Sequence, residues 1–264
     1  MLSRRTFALL VAAAPGAVAQ TASPSPARFQ ATIDKYLDDD KTAPPPRGGI
    51  LFTGSSIFFR WKTLTEQMAP LPAYNRAFGG SRTADILYYM DKVVLPYEPK
   101  IIVYYCGSND VNAGESAGPI AARFQEFARR VHAKLPATKI YYVSINKAPQ
   151  KRDRWDVVDA ANGLVSDFTS HDSRLGFIDV NPALFDAEGK PRVELYLPDL
   201  LHFKEPAYAE FTRIIKPVLE REWKRLEAPS VGHAENLRVP KSEGGRLMPP
   251  SWFLRFGIGQ AVLG

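Results

Sequence analysis

Ile50-Leu51-Phe52-Thr53-Gly54-Ser55-Ser56-Ile57 is an apolar run that stops at a glycine and two serines. A short apolar run of this kind reads as a buried strand, and open α/β sheets place their chemistry just beyond the carboxyl ends of such strands. Ser56 is the candidate nucleophile. Gly54 lets the backbone turn sharply. A helix starting here sets Ser56 in its first turn, where main-chain N–H groups have no partner within the helix and can hold a developing negative oxygen. A second polar pair, Asp199 and His202, lies three residues apart in Pro198-Asp199-Leu200-Leu201-His202-Phe203. That spacing lets both side chains lie on one side of a helical turn, so that the carboxylate can orient the imidazole. A serine, a histidine and a carboxylate in one cleft are the parts of nucleophilic acyl transfer. Taken alone, Ser55 or Ser56 also reads as an ordinary helix cap, and what tips the balance lies in the rest of the chain.

The elements that must position these residues alternate along the sequence. Ser25 can cap a helix with Pro26 in its first turn and Phe29, Ile33 and Tyr36 on one face; Pro44 to Pro46 end it. After the Ile50 strand, a short strand at residues 73–75 leads into the glycine turn Phe78-Gly79-Gly80-Ser81. A helix over about 83–94 follows, with Ile86, Leu87, Met90, Val93 and Val94 on one stripe. Residues 100–106 form a continuous apolar run, as in a strand buried on both faces, and end in Gly107-Ser108-Asn109-Asp110. Ile120, Phe124, Phe127, Val131 and Leu135 mark a helix; residues 139–145 and 175–179 are strands with a helix over roughly 155–169 between them. The Asp199–His202 segment leads into a last helix from about 206 to 226. Strands alternating with helices mean a parallel sheet of about five strands covered on both faces, a three-layer α/β/α sandwich. In such a sheet the carboxyl ends of all strands share one edge, so the polar turns after residues 54, 78 and 106 converge there.

Ser56 in Gly-Ser-Ser-Ile, Gly80 in Phe-Gly-Gly-Ser-Arg-Thr, Asn109 in Gly-Ser-Asn-Asp, and Asp199 with His202 in Asp-Leu-Leu-His resemble, in order and spacing, the four sequence blocks of the SGNH (GDSL-type) hydrolase family. Each block is short; four in order on a matching αβ pattern are specific. The resemblance runs from about Ile50 to the last helix and implies a flavodoxin-like strand order. It also implies roles: Ser56 attacks an ester carbonyl, His202 takes and returns the proton, Asp199 holds the imidazole, and the Ser56 and Gly80 amides with the Asn109 side chain form an oxyanion hole. The family's first block usually carries aspartate where this chain has Ser55, which leaves the nucleophile in place and removes whatever hydrogen bonding the aspartate supplies.

The chain has 264 residues, 45% of them hydrophobic, enough for a sizeable core. Arg4 and Arg5, the apolar stretch from Ala8 to Ala14 and Ala17-Val18-Ala19 read as a twin-arginine-like export signal over residues 1–19, implying a periplasmic or secreted protein with no stable membrane span after cleavage. Removing those residues lowers the formal charge from +6 to +4, and no basic stripe with interleaved aromatics stands out, so nucleic acid is not an expected partner. The single cysteine, Cys106, permits no intramolecular disulfide and no cysteine-based metal site, and no cofactor is expected. Residues 20–227 are expected to form the catalytic domain, and 228–264, rich in Pro, Gly and Ser, a poorly ordered tail. The expected partner is a small-molecule, glycan or lipid ester. No long insertion separates the blocks, which favours an open cleft and small acyl groups such as acetyl. A thioesterase or lysophospholipase of the same family is the alternative among enzymes. A non-catalytic module binding acylated glycans is the alternative from another class. A cofactor-binding flavodoxin-like protein ranks last, because no phosphate-binding loop follows the first strand.

Overall fold

The alternation of apolar runs and helical stripes closes into a five-stranded parallel sheet in the order β2-β1-β3-β4-β5, seen in a computed structural model that describes residues 25–228. The strands are β1 (Ile50–Gly54), β2 (Ala73–Asn75), β3 (Ile101–Tyr105), β4 (Lys139–Val143) and β5 (Leu175–Ile178). Ile50 pairs with Ala73 on one side and with Ile101 on the other, and Ile102 with Ile140. All the expected strands are present within two residues of their expected ends. The order reverses at β1: the connection leaving β1 packs on one face of the sheet and the connection leaving its neighbour β3 on the other, and this switch point is where a crevice opens at the carboxyl edge of such sheets.

The continuous apolar character of β1 and β3 has a direct cause: every residue of both strands is buried, alternately toward two cores. Leu51, Ile102 and Tyr104 face a layer containing helices α1 (Gln30–Thr42), α4 (Thr83–Val93), α6 (Ala117–Lys134) and α7 (Trp155–Ser170). Ile50, Phe52, Ile101, Val103 and Tyr105 face the other, formed by α2 (Ser56–Phe59), α3 (Leu64–Met68) and the long α8 (Glu205–Glu227). Each fully buried large side chain contributes roughly 1.5–3 kcal/mol of apolar transfer. A further short helix, α5 (Ser108–Asn112), follows β3 directly.

At the N-terminus Ser25 does cap, accepting from the Ala27 amide at 3.3 Å, but the first turn is a 3-10 turn over Pro26–Phe29 before α1 begins. Tyr89, Tyr104 and Tyr105 are buried in the core, and Tyr88 is exposed. Cys106 is fully buried, and burial pushes its thiol well up, so it packs as a small hydrophobe. No helix among the described residues is long and apolar enough to cross a membrane. The export signal over 1–19 and the tail beyond Ala228 lie outside the described residues.

Candidate active site

Each polar turn at the carboxyl edge has a specific local cause. Gly54 ends β1 at φ +135°, and a Cβ there would lie 1.8 Å from the Tyr105 carbonyl oxygen, so only glycine lets β1 and β3 stay this close as the chain turns into α2. Ser55 occupies the N-cap position of α2, yet its side chain makes no cap hydrogen bond. Its hydroxyl oxygen accepts from Asn109 Nδ2 at 2.8 Å. Ser56 is the first helical residue, where its own N–H has no acceptor within the helix.

Ser56 Oγ lies 3.0 Å from His202 Nε2, and His202 Nδ1 lies 2.7 Å from Asp199 Oδ2. A carboxylate only accepts, so Nδ1 carries the proton toward Asp199 and Nε2 presents its lone pair to the serine hydroxyl. The Asp199–His202 pair does not sit on a helical turn, as the spacing alone led us to expect. Leu200 is left-handed at φ +52°, and the segment is an irregular turn between the short 3-10 turn Val193–Leu195 and α8. What closes it is Asp199 itself, whose Oδ1 accepts from the amides of Leu201 and His202 at 3.0 and 2.9 Å. Partial burial raises the Asp199 carboxyl, but the hydrogen bonds from the His202 ring and from the two amides outweigh it and hold the group down at about 2. Asp199 is therefore ionised at neutral pH.

Helix α8 braces both halves. Tyr208 Oη donates to the Ile57 carbonyl at 2.9 Å, fixing α2, while the ring of Phe203, next to His202, packs edge-on against Tyr208 and Phe211. Ser56 and His202, 146 positions apart in the chain, are thus held together by one helix.

The glycine turn and α5 are held to the same edge. The Phe78 amide and the Ser81 hydroxyl both donate to the Gly54 carbonyl, at 2.9 and 3.1 Å. Gly80, between them, has φ +83°, and a Cβ on it would meet nothing within 4 Å, so its backbone borders open space. Asn109 lies in the first turn of α5 and donates to Ser81 O at 3.0 Å as well as to Ser55. Asp110 is fully buried and accepts from Thr83 N (3.1 Å) and Thr83 Oγ1 (2.6 Å), with Arg123 at 3.3 Å; burial raises its carboxyl despite these donors. It is the strut between α5 and the start of α4.

All five candidate residues therefore meet at one edge: Ser56, His202 and Asp199 in one hydrogen-bonded chain, Asn109 one residue away through Ser55, and Gly80 between two residues anchored to Gly54. The other described histidines are elsewhere. His132 contacts the Thr138 carbonyl and His171 the Asp167 carbonyl; His233 lies outside the described residues. Among the described residues no group of three His, Cys, Asp or Glu side chains is arranged as metal ligands. The sequence reading missed Ser81 and Ser55 as partners of Asn109. The serine after the second glycine was the available signal for the first; nothing local points to the second.

The arrangement can pass a hydroxyl proton to an imidazole whose charge a fixed carboxylate stabilises, beside unpaired N–H groups suited to an oxygen anion. A model of the GDSL-like Lipase/Acylhydrolase family matches residues 52–210, more than half of the chain. No curated protein matches the sequence. Among solved structures, a GDSL-like lipase from Bacteroides thetaiotaomicron superposes with a TM-score of 0.60 at 18% identity over 73% of this chain and 98% of its own. A carbohydrate esterase family 3 protein from Talaromyces cellulolyticus does so at 0.54 and 17% over 67% and 98%. An acetylxylan esterase from Geobacillus stearothermophilus gives 0.55 and 12% over 66% and 94%. At these identities the likeness is one of fold.

Proposed function

This chain belongs to the GDSL-like Lipase/Acylhydrolase family and is an ester-bond hydrolase, and from that premise we propose that it is a serine esterase acting through an acyl-enzyme on esters of small acyl groups, acetyl foremost. The observation that carries the reading is the unbroken chain from Ser56 Oγ through His202 to Asp199. Ser56 Oγ attacks the ester carbonyl as His202 Nε2 takes its proton. The tetrahedral oxyanion is held by the Ser56 and Gly80 amides and the Asn109 side chain. His202 returns the proton to the departing alcohol, then activates a water that releases the acid and restores Ser56. Asp199 keeps the imidazole in the competent tautomer and stabilises its charged form.

The small-acyl preference rests on the short connections at the site: β1 passes straight into α2 and β3 into α5, and the space over Gly80 is open. The acetylxylan esterase among the fold neighbours is in keeping with it. The N-terminal pattern supports action after export, in the periplasm or outside the cell. The test is hydrolysis of acetyl, butyryl and octanoyl esters by purified protein beside Ser56→Ala and Asn109→Ala. We expect no activity in the first and a loss of about 10²–10³ in kcat in the second. Activity surviving in Ser56→Ala defeats the mechanism, and a faster rate on octanoyl than on acetyl esters defeats the preference. Matched thioesters in the same series separate an esterase from a thioesterase.

A further inference from the structure

Among the described residues, two that are not glycine hold the left-handed backbone conformation, Glu98 and Leu200. Glu98 closes the short 3-10 turn Leu95–Tyr97, and its carboxylate pairs with Arg47 at 2.8 Å. Leu200, at φ +52°, lies inside the catalytic turn, between Asp199 and His202. In that conformation a Cβ crowds the carbonyl oxygen that follows it, a clash that glycine avoids and leucine does not. The turn does not need a leucine in return. The Leu200 amide donates to the Leu197 carbonyl at 2.9 Å and its carbonyl accepts from the Gln150 amide at 3.2 Å, so the main chain alone holds it in place. Its side chain joins neither core: Leu201 beside it packs against the α8 layer, whereas Leu200 is 39% exposed. Leu200 thus carries a conformational cost with little burial to offset it, and such outliers gather at active sites and ligand clamps.

The direction of the chemistry says which part of a substrate meets it. His202 Nε2, which faces Ser56 Oγ, must return the proton to the departing alcohol oxygen, so that oxygen comes within hydrogen-bond reach of the imidazole. The carbonyl oxygen turns instead toward Gly80 and Asn109. The alcohol portion is therefore the part brought to the turn that carries His202, and Leu200 is the exposed large apolar side chain of that turn. We propose that Leu200 is a specificity-determining residue, an apolar contact for the alcohol portion of the ester that selects longer alkyl or aryl alcohols over short ones. The inference rests on the esterase reading and deepens it, since it assigns the alcohol as well as the acyl preference. Each methylene drawn out of water against such a side chain favours the ester that carries it.

The experiment compares kcat/KM of the full chain on ethyl acetate, hexyl acetate and ethyl hexanoate. The last two are isomers that carry the same six-carbon chain on opposite sides of the ester. The unsubstituted protein is expected to prefer hexyl over ethyl acetate about tenfold, and Leu200→Gly and Leu200→Asn, both at ease in the left-handed conformation, to cut that ratio to about two. Leu200→Phe should keep it, and the ratio of ethyl hexanoate to ethyl acetate should be the same in all four proteins. Thermal melts of the glycine and asparagine variants should lie at or above that of the unsubstituted protein, because backbone strain is relieved and no core contact is lost. A hexyl to ethyl ratio near one in the unsubstituted protein, a tenfold ratio that survives both variants, or an equal shift in the ethyl hexanoate ratio overturns the proposal. So does a melting temperature lowered by more than about 5 °C in Leu200→Gly, which would make the side chain a packing element. In each of those cases the esterase reading stands. Failure of the unsubstituted protein to hydrolyse any of the three esters would defeat that reading, and the proposal with it.

Discussion

Asn109 donates a 2.8 Å hydrogen bond from its side-chain amide to the hydroxyl oxygen of Ser55, 54 residues earlier in the chain. The family aspartate is missing, but its position still supplies an acceptor, and a neutral one. With the second contact to Ser81 O, both amide protons of Asn109 have partners before any substrate arrives; in the proposed mechanism the oxyanion takes over the proton shared with Ser81 O while Ser55 keeps hold of the other and so keeps the amide aimed. Ser55 thus acts through Asn109. Ser55→Ala is expected to lower kcat several-fold, roughly the 1 kcal/mol of one hydrogen bond, with little change in KM. In an Asn109→Ala background the same substitution should do nothing further. A double-mutant cycle that gives additive losses would show that Ser55 acts by some other route.

Asp199 sets a clear acid limit. Its carboxyl is held at about 2, below the ordinary value near 3.9, so what it contributes to the folded state is complete above about pH 4 and is lost as pH falls through 2. Melting temperatures of the unsubstituted protein and Asp199→Asn should differ by a constant amount above pH 4 and converge as pH falls from 4 to 2. At neutral pH the same variant should lose most of kcat, because an amide can hold His202 in the wrong tautomer.

Asp110 braces Asn109's helix against Thr83 from a fully buried position. Asp110→Ala leaves the buried Thr83 amide and hydroxyl without their acceptor, while Arg123 keeps Glu115 at 2.6 Å, and a loss on the order of 3 kcal/mol in urea unfolding is expected. Thr83→Val, which removes one donor and keeps the carboxylate, should cost less.

Lys151 works in the opposite sense to Asp199. Its ammonium is buried with no hydrogen-bond partner and pushed down to about 8 from an ordinary 10.4, so between those values the unfolded chain holds more protons and stability rises with pH. Lys151→Met should therefore be more stable than the unsubstituted protein at pH 7, by up to about 3 kcal/mol, with the difference narrowing as pH approaches 10. A difference that does not change with pH would mean that the amine is not desolvated.

Local pattern determined much of this protein. Two-sided burial makes β1 and β3 continuous apolar runs, and the 3.6-residue stripes of α4 and α6 are equally direct, because each reflects only which face meets a core. From the alternation, the parallel sheet and its shared carboxyl edge follow, and with them the meeting of Ser56, Gly80, Asn109, Asp199 and His202. Tertiary structure decided what no spacing encodes. That Asp199 and His202 meet through a left-handed Leu200 rather than a helical turn depends on backbone amides folded onto Asp199. That Ser55 serves Asn109 instead of capping α2 depends on where β3 delivers α5. The unpaired state of Lys151 lies furthest from the sequence, since its segment is rich in charge and reads as a solvated loop. Only the packing of residues 149–154 against α5 closes water off from that one ammonium, and burial is a property of the fold that a residue's chain neighbours do not specify.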